Sequence, residues 1–173
     1  MKDWFLLDPD ITFLNHWSYG ACSKTVFKEY QDWQQKLENQ PVQFMTNQVY
    51  SAMEKSRESM SQFVGCDDEE LVFFQNPTTA VTNVIYNLDL KPGHEVLMSN
   101  HEYGALVRAW KMWEKKTGVN IIQQDISMPV TTEENFVENF WTGVTDQTKV
   151  IFLSHITSST ALIFPIEKII KLA

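Results

Sequence analysis

Leu71-Val72-Phe73-Phe74-Gln75-Asn76-Pro77-Thr78-Thr79-Ala80 sets an apolar run directly before a helix start. The run 71–74 reads as a short buried strand, and Val81, Val84, Ile85 and Leu88 then recur at helical spacing. Asn76 is a good N-cap residue and Pro77 suits the first helical position. The following residues present free backbone N–H groups and the hydroxyls of Thr78 and Thr79 at the positive end of a helix. Strand, tight turn and hydroxyl-rich helix start together predict an anion site, best suited to a phosphate.

Outward from this point, strands and helices alternate. Upstream, residues 1–20 read as an irregular arm with a strand-like piece at 12–15. A helix over 25–39 is ended by Gln40-Pro41. A second, over 47–64, turns Val49, Met53, Met60, Phe63 and Val64 toward a core and stops at Gly65. Downstream, the spacing predicts a helix at 77–88, a strand at 95–98 and a helix at 102–116 ended by Gly118. A strand at 120–124, a helix at 132–141, a strand at 149–154 and a helix opened by Pro165 follow. Short apolar strands alternating with helices predict an α/β fold, a mostly parallel sheet with helices on both faces. The stripe Ala105, Leu106, Ala109, Trp110, Trp113 reads as core packing, or in part a dimer interface.

The bulk numbers narrow the function. The 173 residues suffice for a real core, and 13% of them are aromatic. Net charge is −8, and the arginines are Arg57 and Arg108 alone. That disfavours nucleic acid, which needs a basic stripe, and an anionic membrane surface. Cys22 and Cys66 are unpatterned, which fits free thiols in a reducing cytoplasm, with Cys22 a small buried residue. No HExxH or paired CxxC pattern points to a metal. Charge and proline interrupt residues 1–9 too early for a secretory leader, and no apolar stretch reaches membrane-spanning length. Residues 166–173 begin an amphipathic helix with no C-terminal cap, so the chain is expected to be a fragment of a longer protein.

In open α/β sheets ligands bind beyond the carboxyl ends of the strands. Three segments follow such ends: Gln75 to Ala80, Ser99-Asn100-His101-Glu102-Tyr103-Gly104, and Ser154-His155-Ile156-Thr157-Ser158-Ser159-Thr160-Ala161. Phosphate donors, an aromatic ring and hydroxyl donors together describe a site for a phosphorylated aromatic ring. His101 and His155 read as structural histidines.

These segments resemble the isopenicillin-N-epimerase-like branch of the class V aminotransferases. The resemblance starts with Phe13-Leu14-Asn15-His16 and Ser18-Tyr19-Gly20-Ala21-Cys22. It continues through Trp33, Leu37-Glu38, Pro41 and Asn76-Pro77-Thr78-Thr79-Ala80-Val81. It ends with His101-Glu102-Tyr103-Gly104-Ala105-Leu106, Trp110 and the segment 154–162, in order along essentially the whole chain. It implies a pyridoxal 5′-phosphate (PLP) enzyme of the aspartate-aminotransferase-type fold (fold type I), a homodimer in that group. Residues 1–20 would be an arm near the active-site entrance, and residues 21–173 the incomplete N-terminal portion of the PLP-binding large domain. By resemblance Thr78, Thr79 and Ala80 would hold the cofactor phosphate. Tyr103 would stack on the pyridine ring, where cysteine desulfurases have histidine. Ser158, with Thr160 as second choice, would bond the ring's phenolic oxygen. Asn15, His16 and Tyr19 would line the substrate entrance. The implied reaction acts at Cα of an amino acid through an external aldimine, leaving epimerisation, transamination, elimination and decarboxylation open.

Two departures qualify this. Trp17 stands where members commonly have glycine, which changes the substrate size expected. None of the twelve lysines sits in the context of the family's Schiff-base lysine, expected beyond Ala173 with the pyridine-nitrogen aspartate and the carboxylate-binding arginine. No catalytic residue is therefore assigned within the chain, since PLP chemistry needs that lysine. In the implied topology the strand at 71–74 loses its partner and the strand at 149–154 loses its next neighbour, which leaves an apolar edge open. Three alternatives stand beside this reading: a non-catalytic scaffold, an α/β module for another phosphorylated ligand, and a cysteine-desulfurase-like enzyme.

Overall fold

The computed structural model describes residues 2–16 and 18–173. Trp17, and the expectation about substrate size attached to it, lies outside these residues. The chain divides into two compact units, Met1–Phe73 and Phe74–Ala173.

The first unit is helical. Helix α1 (Lys24–Asn39) starts at Ser23, whose hydroxyl accepts the Val26 amide at 3.4 Å. It ends at Gln40, the residue that Pro41 biases away from helix. One helical turn, α2 (Pro41–Gln43), and a π-turn at Phe44–Gln48 run directly into α3 (Val49–Val64). Gly65 stops α3 in the left-handed conformation, φ 79°, with its amide on the Ser61 carbonyl at 2.8 Å. The expected inward stripe of α3 is not realised. Met53, Met60, Phe63 and Val64 are exposed, Phe63 at 85%. Among the described residues no strand belongs to this unit, and Met60 and Phe63 border an open groove of about 910 Å³ with Trp33 and Phe73. Residues 12–15 form no strand; the arm's isolated bridge pairs Phe5 with Ser23 antiparallel. Cys22 is exposed, not buried, because it sits on this thin arm.

Residues 71–74 also form no strand. Leu71 is extended (φ −105°, ψ 128°), yet the run joins no ladder and Val72, Phe73 and Phe74 are exposed. An apolar pattern marks a segment as suited to a sheet but does not supply the paired neighbour that makes it a strand.

The second unit carries the sheet. Strands β1 (Glu95–Ser99), β2 (Asn120–Gln124) and β3 (Thr148–Phe152) are all parallel, in the order β2-β1-β3. Met98 sits opposite Gln123 on one side and Phe152 on the other. Val96, Leu97, Met98 and Ser99 of the central strand are fully buried, as expected of a strand covered on both faces. Alternation sends Val96 and Met98 to one face and Leu97 to the other. On the first face they meet Ile85 of α4 (Pro77–Asn87) and Trp110 of α5 (Gly104–Thr117), so the α5 stripe is indeed core. On the second, Leu97 packs with Phe136 and Phe140 of α6 (Glu133–Trp141) and Ile169 of α7 (Ile166–Leu172).

This order makes β1 a switch point. The chain leaves β1 through α5 to β2 on one side, then returns through α6 on the opposite face to β3 on the other. Right-handed crossovers require the helices to change face when the direction reverses. In such sheets the ligand crevice lies beyond the carboxyl ends of the strands at the switch point, here those of β1 and β3. β3 pairs with β1 alone among the described strands, which leaves its outer edge open as anticipated. No helix among the described residues is long and apolar enough to cross a membrane.

Candidate functional site

Helix direction brings the segment 75–80, where the sequence predicts an anion site, to the switch point. Tyr86, in the last turn of α4, packs on Trp113 near the end of α5 with ring centroids 5.0 Å apart. Lys116 lies over both rings, at 5.5 and 5.2 Å. The two helices thus run the same way on one face of the sheet. Residues 88–94 then join the end of α4 to the start of β1, so both helices begin at the edge where β1 ends.

At the start of α4, Asn76 is extended and its Oδ1 accepts the Thr79 amide at 2.8 Å and the Thr79 hydroxyl at 3.1 Å. The Ala80 amide donates to the Asn76 carbonyl at 3.2 Å. The Thr78 amide and hydroxyl have no partner among the described residues. The helix start therefore offers one unengaged residue, Thr78, beside a second, Thr79, held by its own cap. Tyr103 takes the N-cap position of α5, and its ring is half exposed.

The third segment folds back on itself. Thr157 is fully buried, and its Oγ1 meets Thr160 Oγ1 at 2.7 Å and accepts the Leu162 amide at 3.0 Å. The bridge between Ile156 and Ile163 closes the loop, and Ala161 turns it at φ 54°. A left-handed alanine is uncommon and persists only where surroundings impose it. Thr160 is thus engaged inside the loop, whereas the Ser158 hydroxyl is exposed with no partner among the described residues.

Hydrogen bonds stitch the strand ends together. Asn100 donates to Asp125 and accepts the Ile126 amide at 3.0 Å, while His101 Nε2 lies 2.8 Å from the Ile126 carbonyl, a structural role as expected. Sequence reasoning missed Glu102. It is 8% exposed, and its carboxylate accepts the Ser99 hydroxyl at 2.6 Å, the Ser154 hydroxyl at 2.5 Å and the Ser154 amide at 3.1 Å. Only the rule that the β1 and β3 ends meet at the switch point could have paired residues so distant in sequence.

The residues expected to line the entrance belong to the first unit. Asn15, His16 and Tyr19 are exposed on one turn, where the Tyr19 amide donates to the Asn15 carbonyl at 3.1 Å. His16 is held edge-on against Phe13 at 4.7 Å and accepts the Ala21 amide at 3.4 Å. Among the described residues, no group of three His, Cys, Asp or Glu side chains could hold a metal.

Comparison with known proteins bears on this edge. The chain is 26% identical over 160 residues to isopenicillin N epimerase of Streptomyces clavuligerus, covering 92% of this chain and 40% of that protein. It is 21% identical to a probable chloroplastic L-cysteine desulfhydrase of Arabidopsis thaliana, over 95% of this chain and 38% of that protein. A solved structure of C-DES, a K223A mutant with glycine covalently linked to its PLP cofactor, superposes with a TM-score of 0.83 at 17% identity. That match covers 95% of this chain and 43% of that one. The fold is thus that of part of a fold type I large domain, and the chain spans about two fifths of the length of these relatives. The family model described as aminotransferase class V matches residues 21–173, and the chain belongs to that family.

Proposed function

We propose that this chain supplies the cofactor-holding part of a PLP-dependent enzyme that acts at Cα of an amino-acid-like substrate. The observation that carries the reading is the unengaged Thr78 amide and hydroxyl at the start of α4, on the sheet edge that also bears Tyr103 and the Ser158 loop. This donor set fits a phosphate ester on an aromatic ring. A phosphate accepts from several N–H and O–H groups at a helix start, and the positive end of the 11-residue α4 favours its charge.

Thr78, Thr79 and Ala80 hold the phosphate, Thr79 once its donors turn from Asn76. Tyr103 covers a face of the pyridine ring. Ser158 donates to the phenolic oxygen, with Thr160 second because its hydroxyl is engaged with Thr157. Asn15, His16 and Tyr19 line the substrate entrance. When bound, PLP supplies an aldehyde that takes up amino groups and a ring that withdraws electron density from Cα. The lysine that condenses with that aldehyde is assigned to none of the lysines here. The whole protein is a cytoplasmic homodimer that binds neither nucleic acid nor membrane. Relatives named as an epimerase and a desulfhydrase support an amino-acid substrate.

Titration with PLP, monitored by cofactor absorbance, tests this. Saturable uptake that is retained in Tyr103→Phe and weakened in Tyr103→Ala is expected. Equal uptake of PLP and unphosphorylated pyridoxal would overturn the reading.

A further inference from the structure

Glu102 joins the two loops that carry the proposed ring contacts. Its neighbour in sequence is Tyr103, the N-cap residue of α5. Its hydrogen-bond partner Ser154 opens the loop that contains Ser158. Every contact the carboxylate makes is with a donor: Ser99 Oγ and Ser154 N at Oε1, and Ser154 Oγ and N at Oε2. No cation pairs with it among the described residues. A buried carboxylate persists only when its acceptor sites are filled, so these donors are what keeps Glu102 in the crevice. Beyond Ser154, the Phe164 amide returns to the His155 carbonyl at 2.8 Å, so the loop is anchored at the residue next to the one Glu102 holds.

We infer that Glu102 is a positioning residue: its carboxylate clamps Ser99 of β1 to Ser154 after β3 and thereby fixes the spacing between the Tyr103 ring and the Ser158 hydroxyl. The inference rests on the cofactor reading above for what those two groups hold, and on the hydrogen bonds alone for the clamp. Glutamine at this position keeps one oxygen for Ser99 and the Ser154 amide, but sets an NH2 donor where Oε2 accepted both the hydroxyl and the amide of Ser154. Ser154→Ala removes only the hydroxyl bond and leaves the carboxylate in place.

The test compares the unsubstituted chain, Glu102→Gln and Ser154→Ala in two measurements. Amide hydrogen exchange in the ligand-free chain is expected to rise at least about tenfold at Ser154 and through 157–162 in Glu102→Gln, the loss of about one buried charge-assisted hydrogen bond. Ser154→Ala shows a smaller rise over the same residues, and the amides of β2 and α6 do not change. The dissociation constant of pyridoxine 5′-phosphate rises by a similar factor in Glu102→Gln, while that of inorganic phosphate at the start of α4 stays the same. Exchange that rises at Ser154 alone, or a parallel loss of inorganic phosphate, overturns the clamp. An unsubstituted chain that takes up no pyridoxine 5′-phosphate overturns the cofactor reading, and the exchange pattern then decides the clamp by itself.

Discussion

Asn76 Oδ1 accepts both the amide and the hydroxyl of Thr79, at 2.8 and 3.1 Å, so the cap of α4 and a proposed phosphate donor are bound to each other. Asn76→Ala is expected to lower stability by about 1 kcal/mol, the usual worth of an N-cap side chain. Asn76→Asp retains most of it. Thr79→Ala keeps the amide bond to Asn76 and loses less. Urea denaturation of the three variants checks this order, and an Asn76→Ala chain as stable as the parent contradicts it.

Gly143 sits where a side chain has no room. A Cβ there would lie 2.6 Å from Leu97 Cδ1 and 2.9 Å from Gln124 Oε1. Leu97 is fully buried, and the Gln124 amide nitrogen is committed to Asn139 and Thr142, so neither can swing away freely. Gly143→Ala should cost about 1–3 kcal/mol through overpacking. Combining it with Leu97→Val should recover part of that loss. Thermal melts of the single and double variants measure the coupling.

Lys168 of α7 reaches the start of α6, 2.8 Å from Glu133 and 2.5 Å from Glu134. Hydrogen bonding to Lys168 holds the Glu134 carboxyl below its ordinary 4.5, and bonding to Glu133 and Glu134 holds the Lys168 amine above its ordinary 10.5. A lowered carboxyl contributes stability that is present above pH 4.5 and lost as pH falls through its folded value. A raised amine contributes stability that is present below pH 10.5 and lost as pH rises through its folded value. The tie therefore operates at neutral pH and fails at both extremes. All three groups face solvent, so its worth is small. Lys168→Ala should be slightly less stable than the parent at pH 7. The difference should vanish at about 1 M salt, where the screening length is about 3 Å, and on acidification below the carboxyl's folded value. A difference that persists in salt contradicts an electrostatic tie.

No lysine in the chain is assigned to the cofactor aldehyde. Borohydride reduction after PLP treatment, read by peptide mass spectrometry, should label exposed lysines such as Lys111 and Lys115 diffusely and substoichiometrically. One stoichiometric adduct at a single lysine contradicts that assignment.

The sheet unit was more legible in the sequence than the helical one. Local rules carried β2, whose bounds match the expected strand, and α5, whose stripe packs against β1 and whose end falls at Gly118. The failures share one cause. The pattern at 71–74 and the apolar face of α3 state what these segments need, a paired strand and a covering layer. Neither partner is among the described residues. The capped start of α4 was readable because capping chemistry is local: Asn76, Pro77 and Thr79 lie within one turn. Glu102 was not, because its partner Ser154 comes close only through the strand order β2-β1-β3.

The central claim is that the start of α4 binds the phosphate of a pyridoxyl ring. Its most direct test is the dissociation constant of pyridoxine 5′-phosphate, which carries the ring and phosphate but no aldehyde, for the chain and for Thr79→Ala and Thr79→Ser. The account predicts saturable binding that weakens about tenfold in Thr79→Ala, the worth of one hydrogen bond to a charged group, and is restored in Thr79→Ser. It also predicts no measurable binding of unphosphorylated pyridoxine. Equal affinity in the chain and Thr79→Ala, or equal binding of the phosphorylated and unphosphorylated ligands, would contradict it.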